Sequence, residues 1–337
     1  MQIHSLTFIV FLLVSTCFGL SRAIECRVNV KNPSKYAYTI TVDQTGKGNF
    51  VTIQKAVDSV PSNNDQWLRI HVHPGIYMEK VTIPKEKQCI FLEGSGYTQT
   101  TISGEDHSQT DSSATFTVLP DNFVAKGIAF MNSYNRPIVV DEVKPAVATR
   151  IYGDKAAFYD CAFLGFQDTL WDVEGRHYFN SCYIEGAIDF IWGDGQSFFE
   201  ECRINVTAGL LPSQVSAGYI TAQGRQSEED PGGFVFENGY VFGTGQAYLG
   251  HHTVLTPELF FMVLRWIQWW FLLDGMLRNT KAMIDKRISM KMVRDMRDME
   301  RLWRAEGKGA VAEAKEKREV EVKEERESDA EGDCGKI

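Results

Sequence analysis

Three hexapeptides restrict most strongly how this chain can fold: Phe158-Tyr159-Asp160-Cys161-Ala162-Phe163, Phe179-Asn180-Ser181-Cys182-Tyr183-Ile184 and Phe199-Glu200-Glu201-Cys202-Arg203-Ile204. Their cysteines are spaced by 21 and then 20 residues. A period of that length is one supersecondary unit, too short to hold two strands and the crossover helix between them. From Trp67 onward the chain also breaks into short alternating apolar runs, LRIHVHPG, KVTIP, CIFLEGSG, TTISG, ATFTVLP and GIAFMN, separated by Gly, Asn and Asp. The repeat predicts an all-β fold, a right-handed parallel β-helix in which each repeat is one coil of a single-stranded solenoid. Equivalent residues on adjacent coils then stack at about 4.8 Å. The cysteines need no chemistry in this arrangement, since small apolar residues laddered inside the coils account for them.

The same register puts chemistry outside. Asp168 lies seven residues after Cys161 and Asp189 seven after Cys182, with Gly209 at the third equivalent position. Two neighbouring carboxylates are hard to ionise together, so one holds a proton beside an ionised partner. A general acid and a nucleophile thus arise from one residue type. Asp is also a common turn residue, and spacing alone leaves both uses open.

Ahead of the strands, Ile53, Ala56, Val57 and Val60 form an i, i+3, i+4, i+7 stripe that predicts one short helix. Leu6 to Leu20 is an apolar run followed by Ser21-Arg22-Ala23, so residues 1–23 are expected to be a signal peptide and the protein secreted. Asn205-Val206-Thr207 is a sequon, which agrees with a secreted glycoprotein. No CxxC pair occurs, His71 and His73 have no third ligand in sight, and no metal or cofactor is expected. A GxSxG nucleophile elbow is also missing.

Net charge is −9, and residues 24–250 carry 17 basic against 27 acidic side chains. That leaves no basic stripe for nucleic acid, and none is expected as a partner. Composition changes sharply after Gly250: seven of ten Met and four of seven Trp lie beyond it, but only five of 28 Gly. Leu259 to Leu273 reads LFFMVLRWIQWWFLL, too short for a bilayer that needs roughly 20 residues. With Trp266, Trp269 and Trp270 at i, i+3, i+4 it is expected to form a core-covering or interfacial α-helix, not a stable membrane span. Residues 281–337 are expected to be a charged helix fraying into a disordered tail. The organisation predicted is therefore a leader (1–23), a β-helix domain (24–250), a Trp-rich helical segment (251–280) and a charged tail (281–337). A genuine fusion and a mispredicted C-terminus both remain open.

Six stretches in order resemble the plant pectin methylesterases, over about residues 41–250: Gly75-Ile76-Tyr77-Met78-Glu79, Gly153-Asp154-Lys155-Ala156-Ala157-Phe158, Gln167-Asp168-Thr169-Leu170, Gly175-Arg176-His177-Tyr178-Phe179, Asp189-Phe190-Ile191-Trp192-Gly193 and Ile220-Thr221-Ala222-Gln223-Gly224-Arg225. The resemblance implies a parallel β-helix esterase that removes methyl groups from cell-wall homogalacturonan, releases methanol, and acts as a monomer without a cofactor. It maps the general acid and base to Asp168, the nucleophile to Asp189 and an oxyanion donor to Gln167. Thr115 matches a Thr near substrate, and Trp192 an aromatic of the sugar groove, although a partly buried core Trp accounts for it equally.

Two departures bear on activity. The family's QAVAL stretch reads Pro145-Ala146-Val147-Ala148-Thr149, so an amide donor is replaced by a residue without even a backbone N–H. After Gly250 the family's Arg, which holds the nucleophile ionised, is replaced by His251. These leave a catalytically impaired, pectin-binding homologue as the alternative expectation.

Overall fold

A computed structural model describes residues 26–27, 36–107, 109–135, 143–225, 227, 230–251, 259–262 and 265–266. The expected leader and charged tail lie outside them.

From Leu68 onward each coil lays down three short strands, one in each of three parallel sheets, so a strand pairs with the third strand after it, while Thr39–Val42 before them pairs directly with Leu68–Val72. Among the described residues the sheets have nine, eight and seven strands. Alternation sets the facing: Leu68, Ile70 and Val72 are buried while Arg69 and His71 between them are partly exposed. The architecture is the expected parallel β-helix.

The hexapeptide repeat forms one face of the core. Phe158, Phe179, Phe199 and Phe236 are in register, with successive ring centroids 5.2, 4.5 and 4.6 Å apart and nearly parallel. Stacked pairs of this kind add about 0.5–1.5 kcal/mol each beyond burial, which rewards one register over a slipped one. At the corner after each Phe strand, Asp160, Ser181, Glu201 and Asn238 turn the chain with positive φ of 48–56°. The following Cys161, Cys182 and Cys202 are buried free thiols, as the ladder reading expects. Cys182 Sγ and Cys202 Sγ donate to the carbonyls of Phe158 and Phe179 one coil back.

The predicted short helix is Ile53–Asp58, with Ile53, Ala56 and Val57 buried. Distant side chains hold both ends. Glu79 accepts from the amides of Ile53 (2.7 Å) and Gln54 (3.0 Å), and the Lys87 ammonium donates to the carbonyls of Val57, Asp58 and Val60. A Cys26–Cys89 disulfide ties the preceding segment to the coils.

Beyond Gly250 the structure differs from expectation. Leu259–Met262 and Arg265–Trp266 are strands, not helix, and pair in parallel with Gly233–Glu237 and Tyr240–Gly243. A short run of large apolar residues suits either state by pattern, and the open edge of the preceding coil supplies the template that decides it. The remainder of the expected helix lies outside the described residues. No described helix is long and apolar enough to cross a membrane.

Candidate active site

Asp168 and Asp189 each sit in the short turn that leads from the eight-stranded into the seven-stranded sheet. Leu170 and Ile191 are partners, Gln167 bridges Ile188, and the Asp168 amide donates to the Ile188 carbonyl at 3.1 Å. The two Asp therefore occupy the same point of adjacent coils, as the spacing predicted. Both have left-handed backbones, φ 60° and 47°, a region that Asp tolerates better than most residues.

Their electrostatics differ. Burial, reinforced by the charge of Asp189, pushes the Asp168 carboxyl up to about 7. Burial also raises Asp189, but a hydrogen bond and the charge of His251 oppose that rise. No hydrogen bond among the described residues ties up the Asp168 carboxyl, whereas His251 Nδ1 lies 3.1 Å from both oxygens of Asp189. Asp168 is accordingly the member that keeps the proton.

The third member of the row is not Gly209. Ile191 pairs with Thr221, which aligns Asp189 with Tyr219, and Tyr219 pairs with Tyr248. Counting seven from Cys202 fails because the 3-10 turn Ala208–Leu210 and the loop after it lengthen this coil. The row runs Asp168, Asp189, Tyr219, Tyr248. His251, anchored by its amide to the Thr221 carbonyl at 2.7 Å, lays its ring on Tyr219 at 4.3 Å between centroids.

Gln167 is half-buried, and no described hydrogen bond occupies its side-chain amide, which stays available as a donor. Its carbonyl accepts from the Ala146 amide at 3.3 Å, so Pro145 enters the coil immediately before the one that carries Asp168. Thr115 is only 1% exposed and lies two coils before Asp168, because Phe116, Thr149 and Leu170 are in register. Its hydroxyl has no described partner and faces Gly104. Thr115 is a core residue flanking the row, not part of an open groove.

Trp192 belongs to an outward column that sequence reasoning missed. Arg150, Trp171 and Trp192 are in register, the indoles stack at 4.3 Å and 16°, and the Arg150 guanidinium lies 5.6 Å from the centre of Trp171. The signal was available, since 150, 171 and 192 share the 21-residue spacing of the acids.

A second polar cluster lies inside. Asp172, His177 and Ser197 are fully buried; the Asp172 carboxylate accepts from His177 Nδ1 and from the Ser197 hydroxyl, and His177 Nε2 faces the Gly153 carbonyl at 2.9 Å. With an acceptor at each ring nitrogen, only the imidazolium satisfies both. Burial opposes that charge, but the Asp172 carboxylate and the two hydrogen bonds outweigh it and raise the His177 pKa. Asp172 fits because residue 195 is Gly: a Cβ there would stand 2.1 Å from its carboxylate.

The sequon residue Asn205 is half-buried, its amide nitrogen 2.8 Å from the Tyr183 hydroxyl and 2.9 Å from Glu185. A glycan there would take one of the two N–H donors and so cost at least one of these bonds. No group of three or more His, Cys, Asp and Glu among the described residues is placed to hold a metal ion.

A family model described as pectinesterase matches residues 39–256. The chain is 50% identical to probable pectinesterase 29 of Arabidopsis thaliana over 71% of each chain, and 50% identical to probable pectinesterase 55 over 69% of each. Among solved structures it is similar to pectin methylesterase from carrot, with 28% identity, TM-score 0.58, and coverage of 67% of this chain and 70% of that one. The enzyme from Aspergillus niger aligns at 29% identity and TM-score 0.58, over 70% and 77% of the two chains. A pectin methylesterase solved in complex with a hexasaccharide aligns at 26% identity and TM-score 0.57, over 64% and 70%.

Proposed function

The chain belongs to the pectinesterase family, and on that premise we propose that it hydrolyses the methyl esters of homogalacturonan in the cell wall, as a secreted, cofactor-free monomer. The observation that carries the reading is the in-register pair of Asp168 and Asp189 with unequal proton affinities.

The Asp189 carboxylate attacks the ester carbonyl carbon. Negative charge grows on the carbonyl oxygen, and the side-chain amide of Gln167 donates to it. As the C–O bond to the methoxy group breaks, Asp168 gives its proton to the departing oxygen and methanol leaves. The remaining anhydride joins Asp189 to the galacturonyl carbon. Asp168, now ionised, takes a proton from water while the hydroxide attacks that carbon, and collapse frees the Asp189 carboxylate. The product acid loses its proton to solvent. Trp171 and Trp192 would hold sugar rings beside the acids.

A second reading, a pectin-binding homologue with little turnover, draws on Pro145, which removes an amide from the oxyanion site. Methanol release from methyl-esterified pectin by the purified protein separates the two. Release that Asp189→Asn abolishes supports the esterase; binding to pectin with unchanged methyl content supports the second reading.

A further inference from the structure

The family's Arg is missing after Gly250, and His251, which follows that Gly in this chain, stands beside Asp189. His251 Nδ1 is 3.1 Å from each oxygen of Asp189, a bifurcated contact in which an Nδ1–H donates to both oxygens of the ionised carboxylate. The ring plane is set by Tyr219 beneath it at 4.3 Å and 25°, and Tyr219 rests in turn on Tyr248. The backbone is pinned to Thr221. Among the described residues the titratable groups around the ring are Asp189 from the turn before Ile191–Gly193, Tyr219 from Gly218–Gln223 and Tyr248 from Ala247–Gly250. Asp168 lies behind Asp189, one coil further back. Asp189 therefore has a donor on one side and an acid on the other.

We propose that His251 is a positioning residue that orients the Asp189 carboxylate and keeps it ionised for attack, taking over the work of the family's Arg. The inference rests on the reading of Asp189 as nucleophile. A carboxylate held by one donor through both oxygens keeps a fixed plane, and an opposite charge at hydrogen-bond distance favours its ionised form. The stack on Tyr219 fixes the imidazole in the plane that this contact needs.

The test compares the full-length wild type with His251→Ala and His251→Arg. Methanol release is followed across pH, and the Asp189 carboxyl is followed by carbon-13 NMR, with Asp189→Asn assigning its signal. For His251→Ala, kcat is expected to fall on the order of 100-fold with little change in KM. The acid limb of kcat/KM and the Asp189 titration should both move to higher pH. Imidazole added to His251→Ala should restore part of the rate, since the His251 side chain is 41% exposed and the vacated space is reachable. His251→Arg should restore both rate and acid limb. An alanine variant with unchanged rate and unchanged acid limb overturns the proposal, as does a loss that neither imidazole nor Arg relieves. If the wild type itself releases no methanol, the esterase reading fails while the NMR titration still decides the inference: an Asp189 signal that His251→Ala leaves unmoved overturns it.

Discussion

Asp168 and Asp189 are held side by side by backbone alone: the Asp168 amide donates to the carbonyl of Ile188 at 3.1 Å, and both residues turn out of the coil with positive φ. No side-chain contact is needed to set the two residues at the same point of adjacent coils; the plane of each carboxyl is left to its surroundings. Their proton affinities are then set by what surrounds each one.

Activity should show two carboxyl limbs. Asp189 must be ionised and Asp168 protonated, and burial with the Asp189 charge puts Asp168 at about 7. The rate of methanol release is expected to decline above about pH 7 as the acid is lost. Asp168→Asn should lower kcat by about 100- to 10,000-fold and remove that limb. A variant that keeps the alkaline limb would assign it elsewhere.

The same residue should weaken the fold. The Asp168 pKa is higher in the folded chain, at about 7, than the 3.8 of an ordinary Asp. Its protonation therefore stabilises the fold fully below the unfolded value, and that stabilisation is lost as pH rises to the folded one. Asp168→Asn, always neutral, is expected to match wild type in Tm in acid, to exceed it increasingly between about pH 4 and 7, and to keep a constant margin above. Thermal unfolding in a buffer series reads this directly.

Asp172 and His177 make the opposite case. The His177 pKa is raised in the fold, so the imidazolium stabilises it fully below the titration of an unfolded histidine, near 6.5. That contribution is lost as pH rises through the higher folded value. Asp172→Asn strands the buried imidazolium and should cost about 3–5 kcal/mol in denaturant unfolding. The same substitution should flatten the pH dependence of stability above neutrality, which loss of packing alone would not do.

Pro145 is the natural place to add function. Pro145→Gln returns an amide to the coil that precedes Asp168 and should raise kcat on the order of 100-fold, with KM little changed. Pro145→Ala should give no such gain, and the pair of variants separates the donor from relief of the proline ring.

Much of the fold was legible because one period governs it. The Cys spacing gave the coil length, and the coil length gave the Asp168–Asp189 pair. The Arg150–Trp171–Trp192 column obeys the same arithmetic and was open to the same reading. Counting failed where coil length changes: Gly209 stands seven residues after Cys202, but the turn at Ala208–Leu210 hands the third place in the row to Tyr219. Strand and helix could not be told apart at Leu259–Met262, where the partner strand decides and lies outside the local pattern. His251 looked like a loss when set against the missing Arg. Its contact with Asp189 spans two coils, past Tyr219, and no spacing encodes that.

The cysteine ladder carries a consequence for how the chain reaches this state. Cys26 and Cys89 must find each other across 63 residues, while Cys161, Cys182 and Cys202 remain thiols in the finished structure. In the newly made chain these five are exposed together with Cys17 and Cys334, and each later thiol can capture an earlier one. Burial pushes the Cys161 thiol up to about 12 once the coils have closed, which removes the thiolate that exchange requires. Before closure it has no such protection, and reshuffling takes seconds to hours. The yield of correctly bridged protein is thus a race between winding and oxidation, decided by how early the Phe158–Phe199 coils wrap around their own sulfurs.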